Sequence, residues 1–168
     1  MKSSNDTYSD ILNTIQTKQE ADSFAYALDK LSDSLFINKA DAFENSLQTI
    51  ISSRQARFLR HIIQKTLGDH PTPQQISEVL AALKESVVNY KTLSLTTSID
   101  PTEHTINLIV GWANIHLGEN VVVELKKDPG LIAGAIVEFG GLYKDLSIKK
   151  RIEEVLRKKQ TEIAGILK

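Results

Sequence analysis

"KKDPGLIAGAIVEFGGLYKDLSIKKRIEEVL", residues 126–156, holds four of the chain's eight glycines between an Asp-Pro-Gly turn and a basic amphipathic segment. A dinucleotide fingerprint needs G-x-G-x-x-G between a strand and a helix, and a phosphate loop needs G-x-x-x-x-G-K-[ST]. Gly130, Gly134, Gly140 and Gly141 match neither spacing. They punctuate an apolar β-branched run instead. Gly130 serves the turn that Asp128 and Pro129 open. Gly134 stands where the backbone must pass close to a helix. Gly140–Gly141 suits a two-residue hairpin. Asp145 or Ser147 caps a last helix with the stripe Ile148, Ile152, Val155, Leu156, Ile163 and Ile166. The stretch reads as a small sheet followed by a helix.

Outward from there, the hydrophobic period places a boundary near Tyr90. From Thr92 to Thr97, Leu93, Leu95 and Thr97 alternate with Thr92, Ser94 and Thr96, which predicts a half-buried strand. A helix carries Ile106, Ile109, Val110, Ala113 and Leu117, with Asp100 as its cap, Pro101 at its first position and Gly118 as its stop. "NVVVEL" predicts a second strand and "AGAIVEF" a third. The order is β-α-β-β-α, and its two amphipathic helices suffice to close a small core.

Before Tyr90 the period is near 3.6. Tyr8, Ile11, Leu12 and Ile15 form one stripe. Phe24, Leu28, Leu31 and Leu35 form a second, and Phe43, Leu47, Ile50, Ile51 and Phe58 a third. The stripes lose phase near Thr17–Glu20 and Ile37–Lys39, which predicts breaks there. Asn38 suits the N-cap of the third helix. Gly68 ends that helix. Thr72 and Pro73 then open another, whose buried face is Ile76, Val79, Leu80, Leu83 and Val87. The fold class is mainly α with a small α+β part. A helical bundle over 1–90 precedes a β-α-β-β-α domain over 91–168.

Composition narrows the function. With 41% apolar residues among 168, the chain can bury a core. The absence of cysteine excludes disulfides, thiolate metal sites and a thiol nucleophile. The N-terminal MKSSNDTYSD lacks the apolar core of a signal peptide. The longest apolar run, Leu131 to Val137, is too short to span a bilayer. His61, His70, His104 and His116 include no i, i+4 pair of the kind that chelates a metal on a helix. Glu153 and Glu154 are sequence neighbours and point apart on a helix. Ser147 has no G-x-S-x-G elbow. Catalytic, cofactor and metal sites are therefore expected to be none.

Charge is uneven although the net is −1. Residues 1–90 carry 9 Lys/Arg against 11 Asp/Glu, and residues 144–168 carry 8 against 4. Lys149, Lys150, Arg151, Arg157, Lys158 and Lys159 read as a solvated face that complements the helix C-terminal dipole. A nucleic-acid module using this helix stays open as an alternative, although the near-neutral net charge and 6% aromatics disfavour it. Arg54, Arg57 and Arg60 step around their helix and form no single patch. A helical adaptor of some unrelated kind also remains open.

The pieces from Leu93 onward resemble the C-terminal domain of the delta subunit of the F-type ATP synthase, the oligomycin-sensitivity-conferring protein of mitochondria. The resemblance rests on "DPGLIAG" at 128–134, "AIVEF" at 135–139 and "DLS" at 145–147 before "IKKRIEEVL", in the order strand, helix, Val-rich strand, turn, strand, tight turn, helix. It implies fold-motif roles for Asp128, Gly134, Asp145 and Ser147. Ala135 replaces the second glycine of the family's usual pair, and Leu146 replaces the glycine of its usual Asp-Gly-Ser. "FAYALDKL" at 24–31 is a weaker echo of the family's opening Tyr-Ala-x-Ala-Leu helix, and the helical half is shorter than the family's. The resemblance implies a non-catalytic peripheral-stalk subunit on the cytoplasmic face of a bacterial plasma membrane. Its helical domain would grip alpha subunits of the catalytic head. Its second domain would hold b-type stalk helices. Together they would resist rotor torque during proton-driven ATP synthesis.

Overall fold

The computed structural model describes residues 5–37, 42–118 and 120–166. The chain divides into two compact units, Met1–Tyr90 and Lys91–Lys168.

The first unit contains α1 (Asn5–Leu12), α2 (Lys18–Ser34), α3 (Ala42–Ile50), α4 (Ser53–Leu67) and α5 (Pro73–Val88). α2 packs on α3 and α5, and α4 packs on α1, α3 and α5. Their core is Ile11, Leu28, Leu31, Leu47, Leu59, Leu80 and Leu83, all almost fully buried. The expected break at Thr17–Glu20 is the start of α2. There the Thr17 hydroxyl accepts the Glu20 N–H, and the Glu20 carboxylate accepts the Thr17 N–H at 3.0 Å. Thr72 and Gln75 form the same reciprocal cap on α5, with Pro73 following as anticipated. The N-cap expected at Asn38 lies outside the described residues.

One expectation is corrected here. The stripe from Phe43 to Phe58 is not one helix. Ser52 and Gln55 form a capping box that starts α4, so α3 ends at Ile50. The phase resets across that cap. α4 buries Ala56, Leu59, Ile62 and Ile63, Phe58 is only partly covered, and Ile50 is exposed. Tyr90 closes the unit. Its hydroxyl donates to the Leu12 carbonyl at 3.3 Å, and burial pushes its pKa from 10.0 up to about 12.

The second unit contains β1 (Lys91–Thr97), α6 (Glu103–Leu117), β2 (Val121–Lys127), β3 (Ala135–Phe139), β4 (Leu142–Asp145) and α7 (Ile148–Ile166). The sheet order is β2-β1-β3-β4. β1 pairs with β2 in parallel through the α6 crossover, while β3 runs antiparallel to both β1 and β4. Leu93, Leu95, Val121 and Val123 pack against Val110 and Ala113 of α6, and Ile106, Ile109, Leu117, Val137 and Phe139 surround them. The fold class is as expected, and a short fourth strand joins it. That strand is the return arm of the hairpin at Gly140–Gly141, whose two positive φ angles, 57° and 80°, suit a primed two-residue turn.

Two local expectations change. Thr102, not Asp100, caps α6. Its hydroxyl accepts the Thr105 N–H at 3.3 Å, and the Asp100 carboxylate instead meets Lys127 Nζ at 2.6 Å. The last helix does not help to close the core. α6 alone covers that face of the sheet, and the side chains of residues 148–157 and 159 on α7 are exposed.

Candidate functional site

The sequence singles out Asp128, Gly134, Asp145 and Ser147, and the structure gives each a backbone task. Asp128 closes the turn after β2. Its N–H donates to Thr97 O at 2.9 Å, and its Oδ1 accepts the Gly130 N–H at 2.8 Å. Gly134, Asp145 and Ser147 come together at the entrance to α7. Beyond β4 the strand pairing continues: Leu146 N–H donates to Ala135 O, and Ile148 N–H donates to Ala133 O, both at 2.9 Å. Gly134 lies between those two acceptors at φ +95°. A Cβ on Gly134 would sit 2.5 Å from Leu146 O and 2.8 Å from the Ser147 Cα. The close approach is thus to the turn entering the helix rather than to a helix body. Ser147 is 2% exposed, and its hydroxyl accepts the Lys150 N–H at 3.3 Å as the N-cap of α7. Asp145 Oδ1 accepts the Ser147 N–H at 2.8 Å. Hydrogen bonds from the Ser147 hydroxyl and N–H, helped by Lys150 and Lys149, hold the Asp145 carboxyl below the usual carboxylate range. This cluster organises a turn. It presents no nucleophile with a base and no cradle for a phosphate.

Elsewhere, no three His, Cys, Asp or Glu among the described residues gather closely enough to hold a metal ion. His116 stacks on Trp112 with ring centroids 4.7 Å apart, and its Nδ1 lies 2.9 Å from the Trp112 carbonyl. The expected dispersal of Arg54, Arg57 and Arg60 takes a concrete form. Arg54 covers the Phe58 ring at 5.7 Å, and Arg60 pairs with Glu44.

The surfaces that remain are two grooves and two exposed apolar helix faces. In the first unit, a groove of about 450 Å³ runs between the start of α2 and the α3–α4 junction. Phe24, Ala27, Ile50 and Ile51 supply its apolar wall, and the two capping boxes supply its polar rim. A second groove of about 320 Å³ lies between α2 and α5 over Leu28, Leu80, Ala81 and Val88, bridged by Lys84 and Asp29 at 2.7 Å. In the second unit, α6 is apolar on both sides. Its inner face meets the sheet, and Leu108, Trp112 and Ile115 stand exposed on the outer one. α7 exposes Ile148, Ile152, Val155 and Leu156. Sequence periodicity located the α7 stripe but not its exposure, and it did not pick out the outer stripe of α6.

Comparisons with known proteins bear on what these surfaces serve. A family model described as ATP synthase delta (OSCP) subunit matches residues 2–158. ATP synthase subunit delta of Thermosipho africanus is 24% identical over 117 residues, which cover 70% of this chain and only 56% of that protein. ATP synthase subunit delta of Syntrophobacter fumaroxidans is 26% identical over 152 residues, covering 82% of this chain and 79% of that one. A chain in the cryo-EM structure of the Toxoplasma gondii mitochondrial ATP synthase hexamer is 13% identical, with a TM-score of 0.36, and the match covers 82% of this chain and 95% of that one. Because the family match runs through both compact units, the chain belongs to the ATP synthase delta (OSCP) subunit family.

Proposed function

We propose that this chain is a peripheral-stalk subunit of an F-type ATP synthase, holding the catalytic head to the stalk and resisting rotor torque without chemistry of its own. The observation that carries the reading is the family match over residues 2–158. The physical character of the surfaces supports it. A stator element must hold two partners at once. Holding needs apolar anchors in grooves, each desolvated on contact, rather than titratable groups tuned for proton transfer. The helical unit offers grooves suited to amphipathic helices, and we assign it to alpha subunits of the head. The α+β unit offers exposed helix stripes, and we assign it to b-type stalk helices. Among the described residues, no helix is long and apolar enough to cross a membrane. Its place at the cytoplasmic face of a bacterial plasma membrane would come through the complex.

The test is a three-part reconstitution. The full chain is mixed with purified catalytic heads and with the water-soluble part of the stalk, and gel filtration follows all components. A complex containing both partners, absent when the chain is omitted, is expected. Failure to recruit either partner overturns the reading. Binding to nucleic acid that weakens steeply between low and physiological salt would favour the basic-helix alternative instead.

A further inference from the structure

α7 is a 19-residue helix with no extended packing partner among the described residues. Ile148, Ile152, Val155 and Leu156 all stand exposed on it. On helical geometry they cover an arc of about 100° of the circumference, the width of the face that a surface helix buries. In the sequence Ile163 and Ile166 fall on the same arc. Ile132 and Leu146, also exposed, flank the root of the helix, where Ile148 N–H donates to Ala133 O at 2.9 Å. A contiguous exposed apolar face of this kind marks an interaction surface.

The charge around the arc selects what it meets. α7 carries six Lys/Arg against three Glu. Lys149 lies along one edge of the arc and Arg151 along the other, both exposed, and Lys159 lies within it, between the lines of Ile148 and Ile152. Glu153 and Glu154 fall on the far side with Lys150, and in the sequence Glu162 is the one carboxylate at an edge, on the side of Arg151. A helix packed on this face would bury the Lys159 ammonium, which costs stability unless a carboxylate stands opposite. At a lipid surface the same side chain lays its methylenes along the apolar boundary and carries its ammonium out to the phosphates. Four or more basic residues clustered on one amphipathic helix suit anionic headgroups. The arc is purely aliphatic, with no Trp or Phe to seat it, so charge must supply part of the hold.

We propose that α7 of the unassembled chain is a binding surface for anionic lipid. The helix lies in the membrane interface, with Ile148, Ile152, Val155 and Leu156 toward the acyl chains and Lys149, Arg151 and Lys159 at the headgroup phosphates. The inference goes beyond the peripheral-stalk reading and stands without it. It gives the free chain a hold on the membrane of its own, distinct from any that comes through the complex.

The test mixes the full chain with vesicles of phosphatidylcholine alone, or of phosphatidylcholine with phosphatidylglycerol, and flotation reads the bound fraction. Affinity for the phosphatidylglycerol vesicles is expected to be roughly tenfold or more higher. It should fall as salt rises, because the headgroup charges are screened. The pair Lys149→Glu and Arg151→Glu should lower it by roughly tenfold or more. Ile152→Asp should abolish flotation while leaving the melting of the sheet unchanged, because Ile152 is 48% exposed and outside the core. Equal flotation with both vesicles overturns the proposal, as does flotation with neither or flotation that survives Ile152→Asp. Binding of a nucleic acid in place of vesicles overturns it in favour of phosphate contacts without lipid. Capture by the water-soluble stalk with no vesicle binding would sink the lipid surface and leave the stalk reading intact. Vesicle binding by a chain that recruits neither head nor stalk would do the reverse.

Discussion

Replacing Gly134 by alanine asks the chain to place a methyl group where the backbone already lies. Two costs add. At φ +95° an L-residue is held outside its ordinary regions, which costs about 1–2 kcal/mol. The new Cβ would stand 2.5 Å from Leu146 O and 2.8 Å from the Ser147 Cα. Both are backbone atoms that cannot swing aside, so relieving the overlap costs about 1–3 kcal/mol more. The sum, about 2–5 kcal/mol, is comparable with the whole stability of a unit this small. Valine is worse, because its branched Cβ enlarges the clash. The assay is urea and thermal unfolding followed by tryptophan fluorescence, since the single tryptophan, Trp112, lies in this unit. Gly134→Ala should lower the melting temperature by on the order of 10 °C or more. Gly130→Ala and Gly141→Ala are the controls. At Gly130 the nearest atom is the movable Asp128 carboxylate at 3.0 Å. Gly141 faces open space and suffers only its positive φ. If Gly134→Ala melts with the parent, or no lower than Gly141→Ala, the reasoning about close approach is wrong.

Further expectations concern pH, capping and autonomy. The folded Asp145 carboxyl has a depressed pKa, so the stability it contributes is present above the unfolded value of 3.8 and is lost as pH falls through the folded one. Asp145→Asn should flatten that acid limb in tryptophan-detected melting, and an unchanged limb would contradict the assignment. Ser147→Ala removes the α7 cap and should cost about 1 kcal/mol by urea titration, against no change if the cap is idle. Tyr90 has a raised folded pKa, so its contribution is fully present below pH 10 and fades as pH climbs toward about 12. Tyr90→Phe should remove most of that alkaline slope in helix-detected melting, and a slope that persists would refute it. Expressed separately, residues 1–90 and 91–168 should each give a cooperative melt by circular dichroism, and an unfolded 91–168 would count against two independent docking ends.

Much of the architecture was legible because local chemistry and global fold agree. The switch of period at Tyr90, the Asp128–Gly130 turn, the Gly140–Gly141 hairpin and the Thr72–Pro73 helix start each carry a mechanism within a few residues. The misses have physical reasons. The break at Ser52 hid inside an apolar stripe that continues across it, although the S-x-x-Q pattern of Ser52 and Gln55 was there to be found. Thr102 displaced Asp100 because either can cap a helix that follows Pro101, and Asp100 found Lys127 instead. The fourth strand is short and mostly exposed, with no apolar alternation to announce it. The exposed face of α7 was legible only as a stripe, and the outer face of α6 and the grooves of the helical unit were not legible at all. Amphipathicity states that a face is apolar and is silent on whether this chain or another covers it. For Gly134 the position was legible in the chain, but its neighbours, Leu146 O and the Ser147 Cα, lie across a hairpin and were not.

The stator claim is tested most directly in inverted membrane vesicles that carry the native ATP synthase, by removing this chain and measuring ATP hydrolysis and ATP-driven proton pumping together. A head that has lost its peripheral hold turns idly with the rotor. The account therefore predicts that hydrolysis continues, pumping collapses, and purified chain restores pumping. Pumping that is as strong without the chain as with it would contradict the account.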